Sequence, residues 1–363
     1  MKKNELNIIQ ENVQQCVFLI ENSFLKGIFT DSITDVSYNG NDLFIQDNYK
    51  GRYKYEKKVN EDDVYELIKL ISNYMLKNFS VQNPILDVAF GNYRLSAVHP
   101  SIARFDNKKV TTFSLRKISP TLKIKGNEKY LAPPVVLKLL ELLIKSHESI
   151  IISGNTGSGK TELQKYLVGY TYENERIILI EESYETYLKE IYPERDITSW
   201  IMSNTENDLS TLIKLALRNN PDWIIIAETR GKEAFDMINS ILTGHPIITT
   251  LHSENAQNNL TRLIQMCKKS VEFDEKNMVN TIAKNLKIGV HVEKIFDNET
   301  NKYQRRISEV VEYVPYASSY KVVSLYNVYK NQYKKLSIRL MNKLKKNFFN
   351  LDEISIFGGT DEK

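Results

Sequence analysis

The stretch Gly154-Asn155-Thr156-Gly157-Ser158-Gly159-Lys160-Thr161 fits the phosphate-binding pattern G-x-x-x-x-G-K-[ST] at every fixed position. The run before it, Ser149–Ser153, is β-branched and bounded by glycine, and reads as a short buried strand. After it, Leu163, Tyr166, Leu167 and Tyr170 recur at helical spacing. In a strand, turn and helix of this kind the turn's N–H groups wrap a phosphate chain while the helix N-terminus faces it. The glycines allow positive φ and close backbone approach. Lys160 would reach the β- and γ-phosphates and the Thr161 hydroxyl would hold Mg²⁺. All eight residues are therefore expected to bind a nucleoside triphosphate.

Length, charge and cysteine usage bound the rest. A chain of 363 residues is long enough for two or three domains. Its 42% hydrophobic and 26% charged content are ordinary for a globular protein. No apolar run approaches the roughly 20 residues needed to cross a bilayer, and the N-terminus lacks an apolar signal core, so a cytoplasmic location is expected. Cys16 and Cys267 are isolated, which offers neither a disulfide framework nor a zinc ribbon. From Tyr313 to Leu351 there are eight basic residues and no acidic one. Without those eight charges the formal net charge of +4 becomes −4. The mildly acidic body gives no reason to expect direct nucleic-acid binding.

Residues 1–118 read as an α+β domain. Ile33–Gly40 and Asp42–Gln46 are strands around an Asn-Gly turn, Glu61–Leu76 has helical period, and strand-like pieces follow at Leu86–Phe90, Tyr93–Val98 and Thr112–Arg116. The polar stretch 119–130 reads as a linker. Pro133-Pro134 open an apolar helix reaching Lys145. From 131 to 315 strand and helix alternate as in a mostly parallel α/β sheet, with strands at Ser149–Ser153, Ile177–Glu181, Trp223–Ala227 and Ile247–Leu251. Residues 316–363 form a basic tail, with an amphipathic helix expected over Tyr329–Phe348. It is expected either to dock on the body or to touch an anionic membrane or acidic partner.

Three strand ends complete a constellation. Asn220-Pro-Asp-Trp-Ile-Ile-Ile-Ala-Glu228 is an apolar strand ending in a carboxylate, which would emerge at the sheet's carboxyl edge and polarise water or hold a metal's outer shell. Glu181-Glu182-Ser-Tyr-Glu185 ends another strand; its carboxylates would repel one another unless Mg²⁺ or a basic group sits near. Thr249-Thr250-Leu251-His252 ends a third, and the histidine could sense the γ-phosphate.

In order and spacing these elements resemble the type II/type IV secretion ATPases. Gly154–Thr161, Glu181–Glu185, Pro221–Arg230 and Thr249–His252 look like that family's Walker A, Asp, Walker B and His boxes. Asn220–Gly231, followed by Glu233-Ala-Phe-Asp and Thr243-Gly-His245, is particularly specific. Tyr93-Arg94-Leu and Ser114-Leu-Arg116-Lys117 are similar to the N-terminal arginine motifs that reach the bound nucleotide. Ile282–Val311 with Arg305-Arg306-Ile307 is similar too, so the resemblance spans about residues 30–315 and leaves the tail outside. Glu182 stands where the family usually has Asp, and Ala227 where it has Gly. The four-cysteine zinc insertion is absent, so no zinc is expected. The run Arg230–Asp236, with Lys232 inserted, leans toward the conjugation and tight-adherence-pilus branch.

The resemblance implies an N-terminal α+β sensor-like domain and a RecA-like P-loop ATPase domain. It also implies a homo-hexamer at the cytoplasmic face of the cell membrane, acting on a membrane-embedded secretion or pilus platform. Lys160, Glu182, Glu228, His252, Arg94 and Arg116 are the expected catalytic residues, Glu181 joins the nucleotide-binding set, and Thr161, Glu182 and Glu228 would hold Mg²⁺, partly through water. Two other functions fit the same motifs: a nucleic-acid translocase, and a nucleotide-gated scaffold with little turnover.

Overall fold

The computed structural model describes residues 2–126, 128–202, 208–269, 274–317, 319–348 and 350–358. They form two compact units: 1–119 with 296–303, and 120–295 with 304–363.

The first unit begins with helix α1 (Lys2–Asn22), which the sequence reading did not single out. Strands β1 (Ile33–Tyr38), β2 (Leu43–Asp47) and β3 (Gly51–Lys54) are followed by helix α2 (Glu61–Tyr74). Then come β4 (Ile85–Phe90), β5 (Tyr93–Val98), the small hairpin β6 (Arg104–Phe105) and β7 (Lys108–Lys109), and β8 (Thr112–Lys117). The large sheet runs β3-β2-β1-β8-β5-β4. Cys16 and Ile20 of α1 and Val64, Leu67, Ile68 and Ile71 of α2 share its core with Val36, Leu95 and Leu115. Asn60 caps α2 by accepting the Asp62 N–H.

The second unit opens with α3 (Glu128–Leu131) and α4 (Pro134–Lys145). Its first strands are β9 (Ile150–Ser153), β10 (Ile177–Glu181), β11 (Ile197–Ile201), β12 (Trp223–Ile226) and β13 (Ile247–Leu251). Between them lie α5 (Lys160–Val168), α6 (Leu188–Ile191), α7 (Leu209–Ala216) and α8 (Glu233–Leu242). After β13 come α9 (Asn259–Cys267), α10 (Glu275–Asn285), β14 (Ile288–Asp297), β15 (Lys302–Tyr316), β16 (Ser319–Asn327), β17 (Gln332–Tyr333) and α11 (Ile338–Asn347). The nine-stranded sheet has the order β11-β10-β12-β13-β9-β14-β15-β16-β17. From β11 to β14 every pairing is parallel; β15–β16 and β16–β17 are antiparallel. This is a RecA-like domain with a mostly parallel sheet.

Its parallel strands are buried on both faces, which is why they read as continuous isoleucine runs. Ile150 and Ile152 pack with α4 and α5 on one side, while Ile151 packs with α7, α8 and α9 on the other.

Two expectations are corrected. Of the stretch expected as a linker over 119–130, the described residues from 120 on belong to the second unit. Lys123 N–H donates to Glu162 Oε2 at 3.0 Å, Ile124 lies on the core, and Glu128–Leu131 is helical. The basic segment from 316 onward is part of the same domain rather than a tail. Its helix covers 338–347, and residues 319–327 are a sheet strand. Asn327 Oδ1 accepts the N–H groups of Tyr329 and Lys330, and Asn331 takes φ 44°, so the chain turns where a helix starting at 329 would have continued. Leu340 and Leu344 are fully buried beside Val136, Leu140 and Leu143. Ser337 caps α11 and donates to buried Glu312, and Lys343 of α11 sits 2.7 Å from buried Glu148.

If α11 belongs to the core, Leu344→Ala should cost about 3 kcal/mol, the usual loss for a buried leucine. Urea denaturation of the full chain measures this; a loss below about 1 kcal/mol would return α11 to the status of a loosely held tail.

Candidate active site: four strand ends around a phosphate loop

Because β10, β12, β13 and β9 are parallel neighbours in that order, their carboxyl ends lie along one edge of the sheet. The loops after them carry Glu182, Glu228, His252 and Gly154–Gly159 respectively.

The loop after β9 is built for a compact anion. Gly154, Gly157 and Gly159 take φ of 154°, 74° and 100°. A Cβ on Gly154 would collide with the Val292 carbonyl oxygen of β14 and lie 2.5 Å from Ser158 Oγ, so only glycine lets the chain pass. Ser158 Oγ is buried and has no hydrogen-bond partner. Lys160 Nζ donates to the carbonyls of Gly154 (2.9 Å) and Asn155 (3.1 Å). A phosphate chain fits these features: an unpartnered hydroxyl, a helix N-terminus capped only by Gly159, and an ammonium held on loop carbonyls. Thr161 follows Lys160 in the first turn of α5. Gln164, one turn on, donates to the carbonyls of Ile226 (2.9 Å) and Ile248 (3.1 Å), fixing α5 to β12 and β13.

Glu228 is fixed from behind by its neighbours. Thr229 N–H donates to the Thr250 carbonyl, the Thr229 and Thr249 hydroxyls meet at 2.8 Å, and Thr250 Oγ1 donates to the Ala227 carbonyl. His252 links this strand end to the phosphate loop: its Nδ1 is 3.5 Å from Lys160 Nζ, and its Nε2 is 3.1 Å from Glu228 Oε1. An ammonium can only donate, so Nδ1 accepts and the ring proton sits on Nε2, close to Glu228 Oε1, a buried oxygen with no hydrogen-bond partner among the described residues.

Arg230 was not singled out by the sequence reading. Its guanidinium joins Glu228 Oε2 at 2.7 Å to Glu182 Oε2 at 2.9 Å. This is the basic group the acidic cluster required. Burial alone would raise the Glu228 carboxyl; Arg230 first, then His252 and Lys160, outweigh it and hold the pKa below the usual range. Burial lowers the Lys160 pKa, with Glu228 opposing. Arg230 itself is strengthened as a cation by Glu228. The signal was present: an arginine two residues after the strand-end acid.

Glu181 is buried, and its Oε2 accepts from Glu185 N–H, Thr186 N–H and Thr186 Oγ1, so it builds the loop that carries Glu182. Arg94 and Arg116 lie in the first unit, directly opposite one another on β5 and β8. Arg116 pairs with Asp35 at 2.7 Å and Arg94 with Asp87 at 3.7 Å. Like charges facing across strands repel unless anions are near. Among the described residues no group of three His, Cys, Asp or Glu could hold a metal.

A family model described as "Type II/IV secretion system protein" matches residues 106–353. The chain belongs to this family. The match runs through β16, β17 and α11, so the family's fold includes the segment first read as an added tail. An uncharacterised protein of Bacillus anthracis is 34% identical over 305 residues, 83% of this chain and 68% of that protein. The type IV secretion system protein VirB11 of Bartonella quintana is 30% identical over 248 residues, 58% of this chain and 68% of VirB11. The X-ray structure of the ATPase DotB from Yersinia pseudotuberculosis superposes with a TM-score of 0.60 at 16% identity, covering 77% of this chain and 75% of DotB, a likeness of fold. Among the described residues no helix of this family member is long and apolar enough to cross a membrane.

The Glu228–Arg230 pair gives a pH signature. A carboxyl with a depressed folded pKa stabilises the fold above its unfolded pKa of about 4.3, and that contribution is lost as pH falls through the folded pKa. Arg230→Ala should therefore lower stability at pH 7, and its difference from wild type should narrow as the pH approaches 4 and below. Urea denaturation across that range checks it; a difference independent of pH would mean Arg230 acts through packing alone.

Proposed function

We propose that this chain is an Mg²⁺-dependent ATPase that works as a homo-hexameric motor of a type II/type IV secretion, pilus or conjugation-type system. The chain from Lys160 through His252 to Glu228 carries the reading: it joins a phosphate loop to a strand-end carboxylate through one imidazole.

In this scheme Lys160 leaves the Gly154 and Asn155 carbonyls for the phosphate oxygens, and the loop amides hold the rest of the chain. Thr161 and, through water, Glu182 and Glu228 would hold Mg²⁺, which would supply charge neutralisation at the phosphates of bound ATP. Glu228 takes the proton of the attacking water at a carboxylate oxygen. Its depressed pKa keeps it an ionised carboxylate, with some loss of basicity. Arg230 keeps Glu228 and Glu182 together, and His252 reports to Glu228 whether Lys160 has moved. Arg94 and Arg116 supply positive charge toward the γ-phosphate, their mutual repulsion being relieved by it. Nucleotide state then drives a conformational change in each subunit, and a closed ring turns that into a stroke on a membrane platform. On this reading the protein is cytoplasmic and lies against the membrane's inner face.

The two other functions differ in what they require. A nucleic-acid translocase would show turnover stimulated by single strands; a scaffold would bind nucleotide and leave it intact.

Turnover per chain, measured with Mg²⁺ across protein concentrations, should rise with concentration as the ring assembles. Glu228→Gln should lower it at least a hundredfold while nucleotide binding survives. Equal turnover in the variant would remove Glu228 from the reaction.

A further inference from the structure

Arg305, near the start of β15, touches the phosphate loop. Its Nε–H donates to the Gly157 carbonyl at 3.2 Å. Its Cδ lies 3.1 Å from where a Cβ on Gly159 would stand, so the arginine stem covers the outside of the loop. The strand presenting it is rigid: Ile307 and Val310 are fully buried in the sheet core.

The bonded carbonyl belongs to the peptide between Gly157 and Ser158. In a trans peptide C=O and N–H point in opposite directions. Holding the carbonyl outward therefore turns the Ser158 N–H inward, where it donates to the Asn155 carbonyl at 3.1 Å. Gly157 itself sits at φ 74°, in the left-handed region that glycine tolerates. A flipped peptide would present a carbonyl, not an N–H, to an anion. Arg305 and the Asn155 carbonyl hold this one peptide from its two ends.

We propose that Arg305 is a positioning residue for the phosphate loop, fixing the Gly157–Ser158 peptide so that its N–H, which now donates to the Asn155 carbonyl, stays directed into the loop where a phosphate oxygen takes that carbonyl's place. This rests on the nucleotide-binding reading above and adds the determinant that keeps the loop competent. Its effect falls on the phosphates shared by di- and triphosphates. It holds whether or not hydrolysis occurs.

The test is equilibrium binding of ADP and of the slowly hydrolysed ATPγS, both with Mg²⁺, to full-length wild type, Arg305→Ala and Arg305→Lys, with melting temperatures recorded without nucleotide. Loss of one charge-assisted hydrogen bond should weaken both nucleotides by about tenfold in Arg305→Ala. Arg305→Lys, which keeps a cationic donor, should stay within about threefold of wild type, and the nucleotide-free melting temperatures should agree. Wild-type affinity in Arg305→Ala overturns the proposal. So does weakening confined to ATPγS, which would make Arg305 a γ-phosphate ligand, and so does a melting temperature that falls with the affinity and is not restored by lysine. If wild type binds neither nucleotide, the nucleotide-binding reading fails first, and the wild-type titration alone shows it.

Discussion

Ile150, Ile151 and Ile152 of β9 are fully buried between two layers, and that burial decides where the phosphate loop begins. Each buried isoleucine contributes about 2–3 kcal/mol. A one-residue slip would move every side chain of the strand to the opposite face. The strand is therefore locked in register between β13 and β14, with Ser153 beside Leu251 and His291. The next residue, Gly154, must then pass the Val292 carbonyl, where no side chain fits. Everything at the carboxyl edge inherits its position from this registration. The parallel order brings Glu228, His252 and Glu182 to the same edge, and hydroxyls of Thr229, Thr249 and Thr250 fasten the two middle strand ends together.

Electrostatics then divides the labour. Four charged groups, Lys160, Glu228, Arg230 and Glu182, sit in one chain with His252 between the first two. Each acid has a cation beside it, and the buried ammonium rests on carbonyl oxygens. The Arg230 and Glu182 side chains are 57% and 37% exposed, so their pair adds little net stability; Glu228, at 20%, depends most on its cation. The site is thus held in a defined state that an entering anion rearranges, because it competes with loop carbonyls for Lys160.

Much of this was legible because parallel strands buried on both faces leave uninterrupted apolar runs. Ile177–Glu181 and Ile247–Leu251 were read with their observed bounds, and β9 and β12 differ by one residue at one end. Where the signal is local, as in the glycine loop, reading worked. It failed where pairing is long-range or half exposed. Strand β16 alternates weakly and is interleaved with lysine and tyrosine, so its segment read as the approach to a basic helix. The edge strand β11 and helix α1 gave no strong periodic stripe. Arg305 lies 148 residues from Gly157, and nothing local marks it as a loop contact. The sequence shows three carboxylates within five residues, and only the folded loop shows that Glu181 turns inward onto the Glu185 and Thr186 amides.

The central claim is that Gly154–Thr161 is a preset cradle for phosphates. Amide hydrogen exchange of the full chain, with and without ADP and Mg²⁺, addresses it residue by residue. The account predicts that nucleotide slows exchange at the amides of 155–161, with the largest change at the loop and first turn of α5. Saturating nucleotide that leaves those amides unchanged, or protects a different edge of the sheet, would contradict it.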